Sequence, residues 1–426
     1  MSTSKQVKRI VVVGGGFGGI RLIKGLKNVP DYQVTLLDKH NYHTFQPLLY
    51  QVASGGLGAD AIAYPYRKIF AGYRNFQFRL ANVERVEPET NTLHTSIGAL
   101  TYDILVIGTG SRTNFYGQNN LAKWCMELKT IPQALDLRSD ILQEFERALT
   151  QRDPEEQRNL LNFVIVGGGP TGVETAGALA EFKRHVIPQD YPELDPDMMQ
   201  VHLVESGDKV LGVMSDGAAN KTKDYLEELG VRIHLMTKVK DFDGETLFFE
   251  NGETIRTRTV LWSAGVRGAL IAGLASDSIL RGSRVLTDAN NLVKGYNNIY
   301  AIGDMSAMPT DAQPNGHPMV AQVAIQQAAN LANNLKNDIK GRQRIDFKYK
   351  DLGSMATIGR HRAVVDLPWV SFQGRIAWFV WMFVHLMTLV SFRNRVIVFT
   401  NWLWNYVSYD RAIRLIIRPF SEKTTE

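Results

Sequence analysis

The sequence predicts an α/β chain of two Rossmann-like units followed by an amphipathic C-terminal region. Two observations carry the first part. A buried-strand pattern breaks into glycines and then into a helical period at Ile10–Ile20 (IVVVGGGFGGI), and nearly the same pattern returns at Phe163–Gly172 (FVIVGGGPTG). A third observation carries the last part: Ile376 to Val390 holds no Asp, Glu, Lys or Arg and is followed by Arg393 and Arg395.

Composition sets the outer bounds. The 426 residues, 44% hydrophobic and 21% charged, suit two or three globular domains of roughly 100–200 residues each. The one cysteine, Cys125, excludes an intramolecular disulfide, a thiol pair and any cysteine-based metal cluster, and it suits a reducing compartment. Neither a metal nor nucleic acid is expected as a partner. Lys5, Lys8 and Arg9 precede an apolar run too short for a signal peptide. No stretch offers the about 20 uninterrupted apolar residues of a spanning helix.

In the first unit Gly14, Gly16 and Gly19 fall at the G-x-G-x-x-G spacing, between a strand and the helical IRLIKGLKN. One glycine permits the turn, the next admits a pyrophosphate, and the third lets helix pack on strand. The next strand, QVTLLD, ends in Asp38, nineteen residues after Gly19, where a carboxylate can accept from ribose hydroxyls. KHNYHTFQPLLYQVASGGLG shows no clean period and reads as a structured loop near a ligand. FQFRLANVERVEPETNTLHTSIG alternates and predicts antiparallel strands. TYDILVIGTG gives a buried strand ending in Gly108, Thr109 and Gly110.

Residues 131–160 read as a helical connector into the second unit. There Gly167, Gly169 and Gly172 repeat the spacing, and QVHLVES ends in Glu205. The thirty-three residues from Gly172 to Glu205 exceed about 20 because HVIPQDYPELDPD, with three prolines, inserts a loop. Asn251-Gly252 marks a hairpin. TVLWSAGV, which contains Ala264 and Gly265, mirrors DILVIGTG. Two dinucleotides are therefore expected. Asp304, after the strand IYAI, has two readings: an N-cap or a ligand contact. Gln322, Gln326 and Asn330 share one face of the next helix at i, i+4 and i+8, either toward a ligand or toward solvent.

VVVGGGFGG, TYDILVIGTGS, VIVGGGPTGVE and YAIGD, in this order, resemble the two-dinucleotide-binding flavoprotein oxidoreductases, whose fold is glutathione-reductase-like. HTFQPLLYQVASG, AQVAIQ and HLMTLVSFRNR resemble more narrowly the type II NADH:quinone oxidoreductases. The resemblance implies non-covalent FAD at the first fingerprint, held by Gly14, Gly16, Phe17, Gly18, Gly19, Asp38, Lys39, Thr109, Gly110 and Asp304. It implies NADH at the second, held by Gly167, Gly169, Thr171, Gly172, Glu205, Ala264 and Gly265. Glu205 would repel a 2′-phosphate, although Lys209 follows closely. Glu174 is either a partner of the helix dipole or, by the resemblance, a residue near the nicotinamide with a proton role. Gln322 and Gln326 carry amides suited to quinone carbonyls. The domains expected are residues 1–120 and 292–348 for FAD, 121–291 for NADH, and 349–426 for membrane association and dimerisation.

A lone cysteine leaves no thiol-pair chemistry, so the electrons go to a diffusible or protein acceptor. Five of the seven tryptophans lie between Trp369 and Trp404, and residues 371–426 carry seven Lys or Arg against three Asp or Glu, so +4 of the net +5. Aromatic faces bordered by arginine suit a bilayer surface; the plainer reading is a dimer interface or buried helix. The expectation is a homodimer seated monotopically on the inner face of the cytoplasmic membrane, passing a hydride from NADH to FAD and two electrons to a membrane quinone without pumping protons. The alternatives are a soluble NADH-dependent reductase of a small electron-transfer protein and a non-enzymatic nucleotide-sensing or membrane-scaffold protein that uses FAD and NADH for regulation.

Overall fold

A computed structural model of the chain describes residues 7–408 and 413–416. Arg411, Arg418 and Lys423, which enter the charge count of the tail, lie outside the described residues. The chain forms two compact units, each from separate stretches. The first takes residues up to His43 with Tyr64–Arg112 and Val266–Asp351; the second takes Thr44–Ala63, Thr113–Gly265 and the chain from Leu352.

The first unit is built on a five-stranded parallel sheet in the order Ile299–Ala301, Ile104–Ile107, Lys8–Val13, Tyr32–Asp38, Phe76–Leu80. Its middle strands are continuous apolar runs because both faces are covered; Ile10 to Val13 and Ile104 to Ile107 are all buried. Phe76–Leu80 departs from expectation. It is a parallel edge strand, and the antiparallel sheet begins only afterwards, with Val83–Glu87, Thr92–Thr95 and Gly98–Thr101. An edge strand alternates in burial as an antiparallel one does, so its pattern could not separate the two. The helix Phe17–Gly25 packs closely on Ala321–Ile339, where a Cβ on Gly25 would meet the Ala332 methyl.

The second unit repeats that sheet with four parallel strands, ordered Val231–His234, Gln200–Val204, Asn162–Val166, Thr259–Trp262. The helix Ile131–Thr150 is more than the connector expected. Thr130 and Gln133 form its capping box, and it buries Leu137, Ile141 and Phe145. The Phe145 ring stacks on Phe182 at 5.4 Å and meets Phe163 edge-on at 5.7 Å. Strands Thr246–Phe249 and Thr254–Arg256 pair antiparallel across the predicted hairpin, with Gly252 at φ +89°. The stretch read as a loop after His43 contains a buried helical turn, Leu49–Ala53, too short for its period to show in sequence.

From Leu352 the chain adds a three-stranded antiparallel sheet (Ser354–Thr357, Ala363–Leu367, Val370–Gln373) and two helices, Arg375–Thr388 and Phe392–Ser408. No helix among the described residues is long and apolar enough to cross a membrane. The last helix is pinned to the short helical turns of the same unit. The Asn394 amide donates to the carbonyls of Ala61 (2.8 Å), Ala63 (3.0 Å) and Asp60 (3.2 Å), and the Trp402 indole donates to Gln51 (2.8 Å).

Burial holds the imidazoles of His43, His202 and His385 down at about 4 from the ordinary 6.5. Between those values the unfolded chain binds protons that the folded chain refuses, so stability falls as pH drops through this window. The expected loss approaches the order of 1–3 kcal/mol per histidine by pH 4. Urea-unfolding midpoints at pH 7.5, 6 and 5 check this, and a flat profile contradicts it.

Candidate active site

Each fingerprint turns at the carboxyl end of an inner strand of its sheet, Lys8–Val13 in the first and Asn162–Val166 in the second. Gly14 takes φ +99°, and a Cβ there would strike the Gly108 carbonyl, while a Cβ on Gly19 would strike the Gly14 carbonyl. Around Gly16 a Cβ would find nothing within 4 Å. The second fingerprint matches it position for position: Gly167 at φ +112° against Ser263 and Ala264, Gly169 in open space, Gly172 against the Gly167 carbonyl. The turn, the open approach for a pyrophosphate and the helix–strand contact each fall to one glycine. Neither following helix, Phe17–Gly25 or Pro170–His185, has a side-chain cap, so first-turn N–H groups face outward with the positive end of the helix dipole. These cradles fit dinucleotide pyrophosphates.

The two strand-end acids also hold the cradles. Asp38 Oδ2 accepts from the Gly15 N–H at 2.7 Å, and Oδ1 from the His40 N–H at 2.8 Å. Glu205 Oε2 accepts from the Gly168 N–H at 2.6 Å, and Oε1 from the Gly207 N–H at 2.7 Å. Lys209 is turned to Asp216, with Nζ at 2.7 Å from its carboxylate. Lys39 and Thr171 are exposed beside their fingerprints, and Phe17 meets the His43 ring edge-on at 5.2 Å.

Around the first fingerprint the unit gathers the other predicted residues. Gly18 lies against Ile302 and the Ala324 carbonyl, and Gly303, at φ +68°, lies against Ala324. The Thr109 hydroxyl donates to the Ala269 carbonyl (2.8 Å), and Gly110 takes φ +71°. Asp304 caps no helix: it sits in a three-residue turn, Gly303–Met305, and accepts from the Ser111 hydroxyl at 2.5 Å. The N-cap reading therefore falls.

Three residues that sequence reasoning missed organise this loop. Buried Gln327 accepts from the Gly303 N–H (2.8 Å) and donates to the Ser306 hydroxyl (3.3 Å). Buried Arg284 donates to the carbonyls of Ser306, His317 (2.9 Å) and Asn315 (3.1 Å). Ser111 is the third. Gln327 was findable, because it shares a helical phase with the apolar Val323 and Leu331; Arg284 and Ser111 left no such signal. On the neighbouring face Gln326 both donates to the Lys350 carbonyl (2.8 Å) and accepts from its N–H (3.0 Å). Asn330 donates to the Ile345 carbonyl (2.9 Å), and Gln322 is half-buried in the first turn.

Glu174 is buried within the second unit. Burial pushes its carboxyl up to about 8, against the opposing pull of the Thr357 backbone and the Trp381 indole. Thr357 and Trp381 also line a cavity of about 130 Å³, together with Tyr50, Trp378, Trp402 and Tyr406. The helices above it present their apolar side outward. Ile376, Phe379, Phe383 and Met387 form one exposed stripe and Phe392, Val396, Phe399 and Leu403 another, with Phe383 63% and Phe392 78% exposed. Ala377, Trp381, Val398 and Trp402 face inward. A wholly buried helix is thereby excluded. Cys125 is buried, and burial pushes its thiol up, away from reactivity. Among the described residues no group of three or more His, Cys, Asp or Glu could hold a metal.

Comparison with known proteins places this geometry. The family model described as pyridine nucleotide-disulphide oxidoreductase matches residues 8–328, and the NDH2 C-terminal domain model matches residues 352–408. The chain is 35% identical to the type II NADH:quinone oxidoreductase Ndh of Mycobacterium tuberculosis, over 95% of this chain and 89% of that one. It is 26% identical to a type II NADH:quinone oxidoreductase of Staphylococcus haemolyticus, over 84% and 89%. The fold matches the structure of NDH2 from Plasmodium falciparum in complex with NADH, with TM-score 0.89 and 22% identity over 97% of this chain and all of that one. A sulfide:quinone oxidoreductase of Aquifex aeolicus matches at TM-score 0.71 and 21% identity, over 95% and 96%.

Replacing Gln327 by leucine strands the Gly303 N–H in the interior. The expected cost is about 1–3 kcal/mol, read as a lower urea midpoint together with more free flavin in the filtrate after ultrafiltration. Unchanged flavin retention would separate Gln327 from the cradle.

Proposed function

The chain belongs to the type II NADH:quinone oxidoreductases, and from that premise we propose which of its residues perform the reaction. It transfers a hydride from NADH to FAD and then two electrons to a quinone. The overall change is NADH + quinone + H⁺ → NAD⁺ + quinol. The duplicated glycine cradle, each copy with its strand-end acid, carries this reading, because the chemistry needs two dinucleotides in one chain.

FAD takes the first cradle. Gly14, Gly16, Phe17, Gly18 and Gly19 meet its pyrophosphate, Asp38 and Lys39 its adenosine end, and Thr109, Gly110 and Asp304 its flavin side. Bound there, it supplies the hydride-accepting and electron-passing chemistry, which the surrounding protein orients and tunes. NADH takes the second cradle, at Gly167, Gly169, Thr171, Gly172, Ala264 and Gly265. Glu205 receives its ribose hydroxyls and repels a 2′-phosphate, a preference supported by the pairing of Lys209 with Asp216.

A carboxyl at about 8 holds its proton at neutral pH. Glu174, whose carboxyl meets Thr357 and Trp381 of the cavity wall, is accordingly a proton donor in the reaction, the role the resemblance gives it. Gln322 donates its amide hydrogen to a quinone carbonyl, an assignment resting on the resemblance. Gln326, with both amide atoms on Lys350, supports the wall beside it. The two outward apolar stripes seat the protein in one leaflet, where a lipid-soluble quinone is found. The inner face of the cytoplasmic membrane is the side supplied with NADH, and a homodimer presenting two such surfaces to the same leaflet fits.

Anaerobic NADH should bleach the flavin absorbance, and a quinone should restore it. Reoxidation should slow as pH rises through 8, and Glu174→Gln should slow it on the order of 100-fold while leaving the bleaching intact. Bleaching that no quinone reverses would sink the assignment.

Seating is tested by flotation with vesicles containing anionic lipid. The native protein should float. The triple change Phe379→Ser, Phe383→Ser and Phe399→Ser forfeits about 1.5–3 kcal/mol per buried ring and should leave the protein at the bottom of the gradient.

A further inference from the structure

We propose that His43 and Tyr66 are positioning residues for the resident flavin dinucleotide: they hold the Gly15 carbonyl inward so that the Gly16 N–H faces the pyrophosphate. The inference rests on the placement of FAD at the first fingerprint.

His43 Nδ1 lies 3.1 Å from the Gly15 carbonyl oxygen. A carbonyl can only accept, so Nδ1 carries the proton and donates it. The Tyr66 hydroxyl lies 3.0 Å from the same carbonyl and 3.1 Å from Asp38 Oδ2, sharing its single proton between them. Asp38 in turn accepts from the Gly15 N–H. Gly15 is thus held at both ends of its backbone, and both clamping side chains are buried.

A trans peptide points its C=O and the following N–H in opposite directions, and the described chain has no cis peptide. Drawing the Gly15 carbonyl inward therefore turns the Gly16 N–H outward. Gly16 is exposed and has open space around it. Gly15 itself answers to the clamp: a Cβ there would fall within the Tyr66 ring.

The second fingerprint is built otherwise. Its equivalent carbonyl, at Gly168, accepts from the backbone N–H of Leu211 (2.8 Å), and a Cβ on Gly168 would meet Glu205 instead of an aromatic ring. The two cradles share a plan and differ in what orients the central peptide. Two buried side chains preorganise one; a loop amide orients the other. Preorganisation lowers the cost of binding and suits a cofactor that stays, whereas a nucleotide exchanged at every turnover does not require it.

The test compares Tyr66→Phe, which keeps the ring over Gly15, with Tyr66→Phe/His43→Leu, and with His43→Asn, whose amide can replace the Nδ1 donor. FAD dissociation constants come from equilibrium dialysis with flavin fluorescence, and the KM for NADH from the flavin-loaded proteins. Two hydrogen bonds lost should raise the FAD dissociation constant about 10- to 100-fold in the double variant. His43→Asn should stay near the native value, and the KM for NADH within about twofold. A folded double variant with native FAD affinity overturns the clamp and leaves the placement of FAD standing. Weakened NADH with unchanged FAD shows instead that the cradles were assigned in reverse. Parallel loss of both nucleotides with a lowered urea midpoint reduces the pair to a structural role and also overturns the proposal.

Discussion

A carboxylate at the end of one strand, accepting from a glycine N–H at the end of the next, is the interaction on which both halves of this protein depend. Asp38 does this for Gly15 and Glu205 for Gly168. Glycine loops have maximal conformational freedom and no side chain to anchor them. A charge-assisted hydrogen bond is about twice as strong as a neutral one, and here it fixes the loop before any nucleotide arrives. The acid is thus a structural part of the cradle in its own right. Everything placed around it, from the helix N-terminus to Thr109 or Ala264, takes its position from a turn that would otherwise wander.

Much of this was legible because it is local. Glycine spacing, the apolar strands and the strand-end acids lie within short windows, and the duplicated sheet follows from them. What escaped depends on contacts between distant stretches. Ser111 reaches Asp304 across 193 residues, and Tyr66 reaches Gly15 across 51. Arg284 would be read as a surface cation in any window, yet carbonyls from the strand Ser306–Ala307 and from the loop holding Asn315 and His317 surround it. Phe76–Leu80 was misread for the opposite reason: its local pattern was clear, but an edge strand of a parallel sheet writes the same pattern. Of the glutamines on the long helix, spacing gave the shared face of Gln322 and Gln326, while the engagement of Gln326 with Lys350 needed the fold.

The tail inverts the usual rule of burial. Its two helices turn Trp381 and Trp402 inward and Phe379, Phe383, Phe392 and Phe399 outward, and they are fixed by polar anchors. Asn394, giving one amide to three carbonyls, and Trp402, bonded to Gln51, fasten the last helix without using the apolar surface that remains exposed. Apolar area that could have deepened the core stays available for a second phase. Aromatic content and the bordering arginines favour a bilayer surface over a dimer interface or a buried helix. The period of the exposed residues, three or four apart, excludes the buried helix.

The interleaving of the two units has a consequence for biosynthesis. The chain passes between them five times, and the first unit is completed only by Val266–Asp351. During synthesis the sheet around the second fingerprint emerges whole, since all four of its strands lie within Asn162–Trp262. The first sheet must wait for Ile299–Ala301, and its cradle for Gln327, long after Gly14 has left the ribosome. The nucleotide site written first is the one finished last, and the apolar helices follow it. The order of emergence therefore delays the sticky surface until the rest of the protein can shield its own core.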